Sequence, residues 1–413
     1  MSIVSRLLGS LSQTPKELEL LPQIEQLANA QDWGSVQQLV TDNPTLLGDL
    51  ASALILELAA AARQQGHEAV ALTLEDYLPL LMAARDRGIE QVFREAADAD
   101  LTGNDALSTE QFSDVPLELA DTLQRALALQ ALFGAMEQPE DLAEAASLWH
   151  SLIRHPGFAR AASSFRLAVA RSAALILGRS FELTGDLSDL EEAIDLWRSG
   201  VALSQEDPPI LLICLTQLGH ALHTHAIASP ATANADLDAA VEAYRACWLQ
   251  APPGRKAAAA ANLAHGLAAR SKLTGQPADL DEAIERYAEA RQTMSLVARS
   301  SAEVLSGQAD SLLTRYRMAA DPRDLDDGIN TQRLAAQRTT SDSAMLPDRL
   351  SQLANALTMR YDLTGQAHDL EEAIASLHAA IQLSPPGDPN LQRYARSLGE
   401  CLRRYYANAG LNV

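Results

Sequence analysis

The chain has few aromatic residues and too few basic residues to balance its acidic ones. Aromatic residues make up 4% of its 413 residues, whereas hydrophobic residues reach 47%. A hydrophobic fraction of this size excludes a disordered chain, and the abundance of alanine and leucine favours closely packed helices. There are 32 Lys and Arg against 54 Asp and Glu, a formal net charge of −22. This balance argues against nucleic-acid binding, which needs clustered cations.

Cysteine is equally sparse, and long apolar runs are missing. The three cysteines, Cys214, Cys247 and Cys401, lie far apart within helical patterns and form no C-x-x-C pair. Such isolated thiols are typical of a reducing compartment. No run approaches the ~18 apolar residues of a membrane span, and the N-terminal residues lack the features of a cleaved signal. We therefore expect a cytoplasmic protein without a membrane partner.

What the chain does contain is one phrase, written repeatedly. It reads FELTGDLSDLEEAI at 181–194, SKLTGQPADLDEAI at 271–284, YRMAADPRDLDDGI at 316–329 and YDLTGQAHDLEEAI at 361–374. The Asp-Leu pair within it recurs every 43 to 48 residues, at Asp141, Asp189, Asp236, Asp279, Asp324 and Asp369. Repetition at this period in a helix-forming sequence predicts an all-α solenoid of helix pairs.

The phrase has the features of a turn between the two helices of a repeat. A glycine stands where a helix end favours a left-handed residue, at Gly185, Gly275 and Gly365. The Asp of the phrase is a predicted N-cap, with a Glu three residues later as in a capping box. Aromatic rings recur eight residues beyond this Asp, at Trp149, Trp197, Tyr244 and Tyr287. We expect these rings to wedge between helices, and stacking on a cofactor is the alternative.

The first helix of each repeat carries the motif Leu-small-X-small-Leu. Its X position recurs every 45 residues, at His220, His265, Asp310, Asn355 and Glu400. At about 100° per residue the two leucines share one face, and X points about 180° away from them. We therefore predict that the X residues line the exposed inner face of a superhelix.

The helical phase extends this face into a candidate partner-binding groove. Its predicted members are Gln217, His220, His223, Asn262, His265, Asp310, Gln352, Asn355 and Glu400. Asp310 and Glu400 favour a basic or amide-rich protein segment as the partner. As an alternative, His220, His265 and Asp310 would form the catalytic or small-molecule pocket of a biosynthetic enzyme, with His265 oriented by Asp310 as a base. No motif for a cofactor is present, and solvated groove histidines are favoured over a metal site.

A second ladder consists of arginines, again 45 residues apart, at Arg270, Arg315 and Arg360. It suggests either an anion site or structural ion pairs. Their phase places these arginines near the leucine face, at the end of the helix. There Arg can pair with the last carbonyls or with an acidic helix start, so we expect structural pairing.

The repeat pattern does not cover the whole chain. Residues 1–100 lack the phrase and are interpreted as a helical N-terminal module or cap, followed by a polar linker at 101–116. Residues 117–407 form the predicted solenoid, about six repeats with a C-terminal capping helix. A homodimer closed by the N-terminal module is a further alternative.

The paired helices with a Leu-Gly-x-Ala-Leu core resemble tetratricopeptide repeats. The phrase Leu-Thr-Gly-x-x-x-Asp-Leu-[Glu/Asp]-Glu-Ala-Ile is similar to the long-period arrays that precede CHAT-type, caspase-like protease domains in bacteria and fungi. The resemblance covers roughly residues 117–407. It implies a right-handed α-solenoid that serves as a scaffold for protein–protein interaction. It does not carry over the protease, because none of the three cysteines lies in a loop after a strand and paired with a histidine.

Overall fold

The computed structural model describes residues 15–29, 33–64, 77–78, 81–82, 84–92, 112, 114–136, 138–293, 299–340, 343–385 and 387–408. All regular secondary structure in these ranges is helical. The chain divides into two compact units, Leu101–Asp279, and Met1–Asp100 together with Leu280–Val413. The predicted linker at 101–116 lies outside the described residues except for 112 and 114–116.

The first 100 residues include the helices α1 (Pro15–Asn29), α2 (Trp33–Asp42) and α3 (Asp49–Gln64), with a 3₁₀ turn at Pro44–Leu47. Further described residues at 77–78, 81–82, 84–87 and 89–92 are also helical. They enclose their own apolar core, which includes Ile24, Val40, Ile55 and Tyr77. Amphipathic helices that bury one apolar stripe together form such a core without help from the repeats.

The unit Leu101–Asp279 is a succession of helices. They are α4 (Leu117–Met136), α5 (Pro139–Arg154), α6 (Pro156–Arg160), α7 (Ser163–Thr184), α8 (Leu187–Leu203), α9 (Pro208–Ala228), α10 (Ala233–Gln250) and α11 (Pro253–Thr274). Consecutive helices pack as pairs, α4 on α5, α7 on α8 and α9 on α10. Each pair also contacts the next, through α8 on α9 and α10 on α11.

The second stretch of repeats follows the same order. Helix α12 (Pro277–Thr293) contains the boundary between the units, and it is followed by α13 (Arg299–Ala319), α14 (Pro322–Arg338), α15 (Leu346–Thr364), α16 (Ala367–Leu383) and α17 (Leu391–Asn408). Helices α13 and α14 form one pair and α15 and α16 the next, and α17 packs on α16. The fold is therefore all-α and built of adjacent helix pairs.

The glycine of the phrase ends the first helix in the predicted left-handed conformation. Gly185, Gly275 and Gly365 have φ of 73°, 70° and 70°. Each donates its backbone N–H to the carbonyl four residues earlier. Ala320 takes the same place after α13, with φ of 57°, although a Cβ disfavours this region.

The predicted N-caps are wrong by three residues. Helix α8 begins at Leu187, and its cap is Asp186, whose carboxylate accepts the N–H of Ser188 at 3.0 Å. Asp189 is therefore the third residue of the helix, and Asp279 and Asp369 hold the same position in α12 and α16. The carboxylates of Asp279 and Asp369 bind the preceding helix instead of capping their own, whereas that of Asp189 contacts His150 of α5 at 3.0 Å.

Asp279, Asp324 and Asp369 are buried, and their carboxylates are the partners of the arginine ladder. Arg360 donates from Nε and one Nη to both oxygens of Asp369, at 3.1 and 2.7 Å. Its other Nη donates to Asp326, two residues beyond the corresponding Asp of the preceding repeat, at 3.1 Å. The same three bonds join Arg315 to Asp324 and Asp281, and Arg270 to Asp279 and Asp238. The prediction of structural pairing is confirmed, and each guanidinium ties one repeat to the one before it.

The repeat also explains what fills the core. Leu218, Leu222, Leu263 and Leu267 are buried, as the motif predicts. Tyr244 of α10 is buried and packs closely against Gly219 of α9 and Gly266 of α11. A Cβ added to Gly219 would overlap its ring, and one added to Gly266 would lie 2.9 Å from it. The aromatic residue is the predicted wedge, and glycine on both flanking helices makes room for it.

Helix α9 is the one described helix that is long and apolar enough to cross a membrane, and half of its most apolar window is buried. Core helices of soluble proteins pass the same test, so this observation has little weight on its own.

Candidate functional site

The X residues leave the core, as the helical phase predicts. On α9, His220 is half-buried between the buried Leu218 and Leu222. On α11, His265 is exposed between the buried Leu263 and Leu267. The leucines on either side hold the helix against its neighbours, so the intervening residue must point away from them.

Three predicted groove residues, His220, His223 and His265, form a cluster within the unit Leu101–Asp279. The rings of His223 and His265 lie 4.6 Å apart between centroids, with an interplanar angle of 55°. The ring of His220 meets that of Tyr244 edge-on, with centroids 5.6 Å apart. The side chain of Asn262 forms a hydrogen bond with His220. Four of the nine predicted residues are thus brought together on α9 and α11.

The three imidazoles are neutral at pH 7. Burial lowers the pKa of His220, and its hydrogen bond with the side chain of Asn262 opposes this effect. Burial and the charge of Lys272 lower the pKa of His223. Desolvation lowers the pKa of His265 to about 4, assisted by the charges of His223, His220 and Lys272.

The hydroxyl of Tyr244 is buried and has no hydrogen-bond partner among the described residues. Burial raises its pKa, so this phenol is not a proton donor or acceptor at neutral pH. Its position between two helices gives the ring a packing role, and it offers no open face to a cofactor.

A cavity of about 360 Å³ lies next to this cluster, between α7, α8 and α9. Leu190, Ala193 and Trp197 of α8 contribute to its lining, and all three are almost completely buried. Gln217 and His220 of the predicted groove lie along its edge. The structure therefore places a fifth predicted residue, Gln217, beside the histidine cluster.

Sequence reasoning missed the α7 side of this cavity. Gly178, Arg179 and Glu182 line it, together with Trp197. The signal was present in the repeat, since Gly178 stands 45 residues before His223 and so occupies the corresponding place on its helix. A glycine in the interior of a helix also weakens the helix, which marks it as a residue that needs an explanation.

The remaining predicted residues belong to Leu280–Val413. Asp310 is half-buried on α13, and its charge helps to raise the pKa of Tyr287. Asn355 and Glu400 are exposed on α15 and α17. The alternative catalytic set of His220, His265 and Asp310 is therefore divided between the two compact units.

Gln352 is engaged inside its own unit. Its Oε1 accepts from the buried Gln332 at 2.8 Å and from Ser306 at 3.4 Å, and its Nε2 donates to Asp348 at 3.2 Å. Gln332 stands where other repeats place an aromatic wedge. The amide of Gln332 donates a hydrogen bond to Gln352, and no local sequence pattern indicates this contact.

Among the described residues, no group of three or more His, Cys, Asp or Glu side chains is arranged to hold a metal ion. No family model matches the chain. A search of curated proteins likewise finds no match. The site is therefore interpreted from its own geometry and chemistry.

Proposed function

We propose that this protein is a binding scaffold, a right-handed superhelix of tetratricopeptide-like repeats that captures a segment of a partner protein in its concave groove. One observation supports this function above the others. In repeat after repeat the motif buries its leucines and leaves its central residue outside the core, half-buried or exposed. A binding scaffold needs such a face. The packed leucines and paired arginines fix the helices, and the outward residues can then differ between repeats to match a partner.

The outward residues define the chemistry of the partner. His220, His265 and Asn262 present neutral hydrogen-bonding groups, which suit backbone amides and amide side chains. Asp310 and Glu400 add negative charge, in a chain whose net charge is −22. A basic or amide-rich segment, extended or helical, matches both properties.

The test is a comparison of three proteins as baits in native lysate. The first is the wild type, and the second carries His220→Ala, His265→Ala and Asp310→Ala. A matched control carries alanine at exposed residues of second helices, Glu242, Gln250 and His378. We expect a partner that the wild type and the control retain and the groove variant loses.

Hydrogen exchange of the complex then locates the contact. Protection should fall on α9 and α11, which carry the histidine cluster. Equal retention by all three baits, or protection confined to second helices, would refute the groove as the binding surface.

The enzyme alternative receives less support. A general base works best with a pKa near the working pH, and that of His265 is lowered to about 4. The neighbouring groups that lower its pKa are His223, His220 and Lys272, and none of them is a carboxylate, which an oriented base needs. The cavity beside His220 is the one observation that favours a small-molecule ligand.

A further inference from the structure

The cavity beside His220 is small, and buried residues form part of its lining. Its volume of about 360 Å³ lies near the lower end of the ~300–1,000 Å³ typical of ligand pockets. The buried Trp197 and Leu190 contribute to this lining, and the polar groups of Gln217 and His220 lie at the edge of the cavity. These dimensions suit one compact group, not a stretch of chain.

Gly178 contributes to the lining of this cavity on the α7 side. Gly178 lies in the interior of the 22-residue helix α7, where glycine is a poor helix former. A Cβ built on Gly178 meets nothing within 4 Å, so no neighbouring atom requires a glycine there. Because residue 178 has no side chain, the space beside it stays empty.

The next repeat shows what fits the corresponding space. Forty-five residues after Gly178 and His220 stand His223 and His265, on α9 and α11. There the chain supplies its own ring, since the imidazole of His223 lies against that of His265 at 4.6 Å between centroids. Where His220 is the corresponding neighbour, no side chain of residue 178 takes this place.

The lining of the cavity selects an uncharged occupant. Arg179 and Glu182 pair with each other at 2.5 Å, so their charges are compensated. Burial lowers the pKa of His220, which keeps its ring neutral at pH 7. A charged group entering the cavity would lose part of its hydration without meeting an uncompensated charge of opposite sign.

We propose that the cavity receives one neutral aromatic side chain of the partner segment, with its ring beside His220 in the place that His223 takes beside His265. That the ring belongs to a protein segment rests on the proposed scaffold function, whereas the preference for an aromatic ring rests on the cavity alone. The partner therefore carries a Phe, Tyr or Trp at a fixed position among its basic or amide residues.

The test uses the full chain and two variants. Gly178→His places an imidazole in the cavity, as His223 does one repeat later. Gly399→His is the matched control, because Gly399 also lies within a helix and a Cβ built there also meets nothing within 4 Å. A random peptide library is selected on the wild type, and the affinities of the selected peptides are measured for all three proteins by fluorescence polarisation. Circular dichroism and melting temperatures verify that the three share one fold.

We expect the selected peptides to share one aromatic position. Replacing that residue by leucine, or Gly178 by histidine, should each weaken binding at least tenfold, while Gly399→His changes it less than twofold. Selected peptides without a common aromatic position, or unchanged affinity for Gly178→His, would overturn the proposal.

A second arm separates the cavity from the scaffold. N-acetyl-tyrosinamide and N-acetyl-leucinamide are compared as probes by ligand-observed NMR. If the tyrosine probe binds the wild type and not Gly178→His while the library yields no peptide, the cavity takes rings but the scaffold function is wrong. If peptides bind and the tyrosine probe does not, the scaffold stands and the preference for a ring is wrong.

Discussion

Replacing Arg360 by alanine should destabilise the junction between α15 and α16 by about 3 kcal/mol. Asp369 accepts two hydrogen bonds from this guanidinium, and its side chain is 1% exposed. Removing the arginine leaves a buried carboxylate without its cation, which typically costs about 3–5 kcal/mol. We take the low end, because 22% of Arg360 is exposed and the amino end of α16 continues to stabilise a negative charge.

The same guanidinium supplies an internal control. Its third hydrogen bond goes to Asp326, whose side chain is 56% exposed. An exposed ion pair contributes about 0.5 kcal/mol, so Asp326→Ala should have a small effect. The comparison separates the contribution of the buried pair, Arg360–Asp369, from that of the exposed pair, Arg360–Asp326.

Hydrogen exchange is the suitable assay, because a repeat array need not unfold as one cooperative unit. In the regime where local opening governs exchange, a loss of about 3 kcal/mol raises exchange rates on the order of a hundredfold. We expect this rise in the last turn of α15 and the first turns of α16 for Arg360→Ala, and a rise of about twofold for Asp326→Ala. Equal effects of the two substitutions would refute the interpretation of the arginine ladder as a set of buried ion pairs between helices.

Two other predictions follow from backbone and titration. Ala320→Gly should raise the free energy of unfolding by about 0.5–1 kcal/mol, seen as a higher urea midpoint, since it relieves a Cβ held at φ of 57°; a lower midpoint would show that the turn is unstrained. The ring of His265, which faces His223, His220 and Lys272, should titrate well below 6.5 in NMR, near 4, and His223→Asn should raise that pKa. Because the pKa of His265 is lower in the folded protein, the unfolded chain binds the proton first as the pH drops. The free energy of unfolding should therefore fall between about pH 6.5 and pH 4. An NMR titration midpoint of His265 at or above 6.5 would contradict this prediction.

The sequence was sufficient where the relevant contacts are local. The turn glycines, such as Gly275, follow from the need for a left-handed residue at a helix end. The outward direction of His220 and His265 follows from helical phase alone, because leucines four positions apart share one face and the residue midway between them points away from it.

It was insufficient where the decisive partner comes from another helix. Asp279 has the composition of an N-cap, yet α12 already begins at Pro277, a residue suited to a first helical turn. The carboxylate is bound instead by Arg270 of the preceding helix. The cavity was unpredictable for the same reason, since it needs three helices, and Gly178 alone does not specify what surrounds it.

The departures from the repeat pattern differ in what they leave behind. Ala320 leaves only strain in an exposed turn, and a glycine there would improve the fold. Gly178 leaves a cavity whose neighbour, His220, belongs to the groove. Gln332 replaces a wedge and orients Gln352, another groove residue. Gly178 and Gln332 therefore both adjoin residues of the proposed groove, whereas Ala320 does not, and the first two are the departures expected to matter for function. The arginine ladder stays constant from α11 to α16, whereas the X residue of the motif changes from His265 to Asp310 and Asn355. If the proposed scaffold function is correct, constant structural residues beside variable outward residues are what selective binding requires.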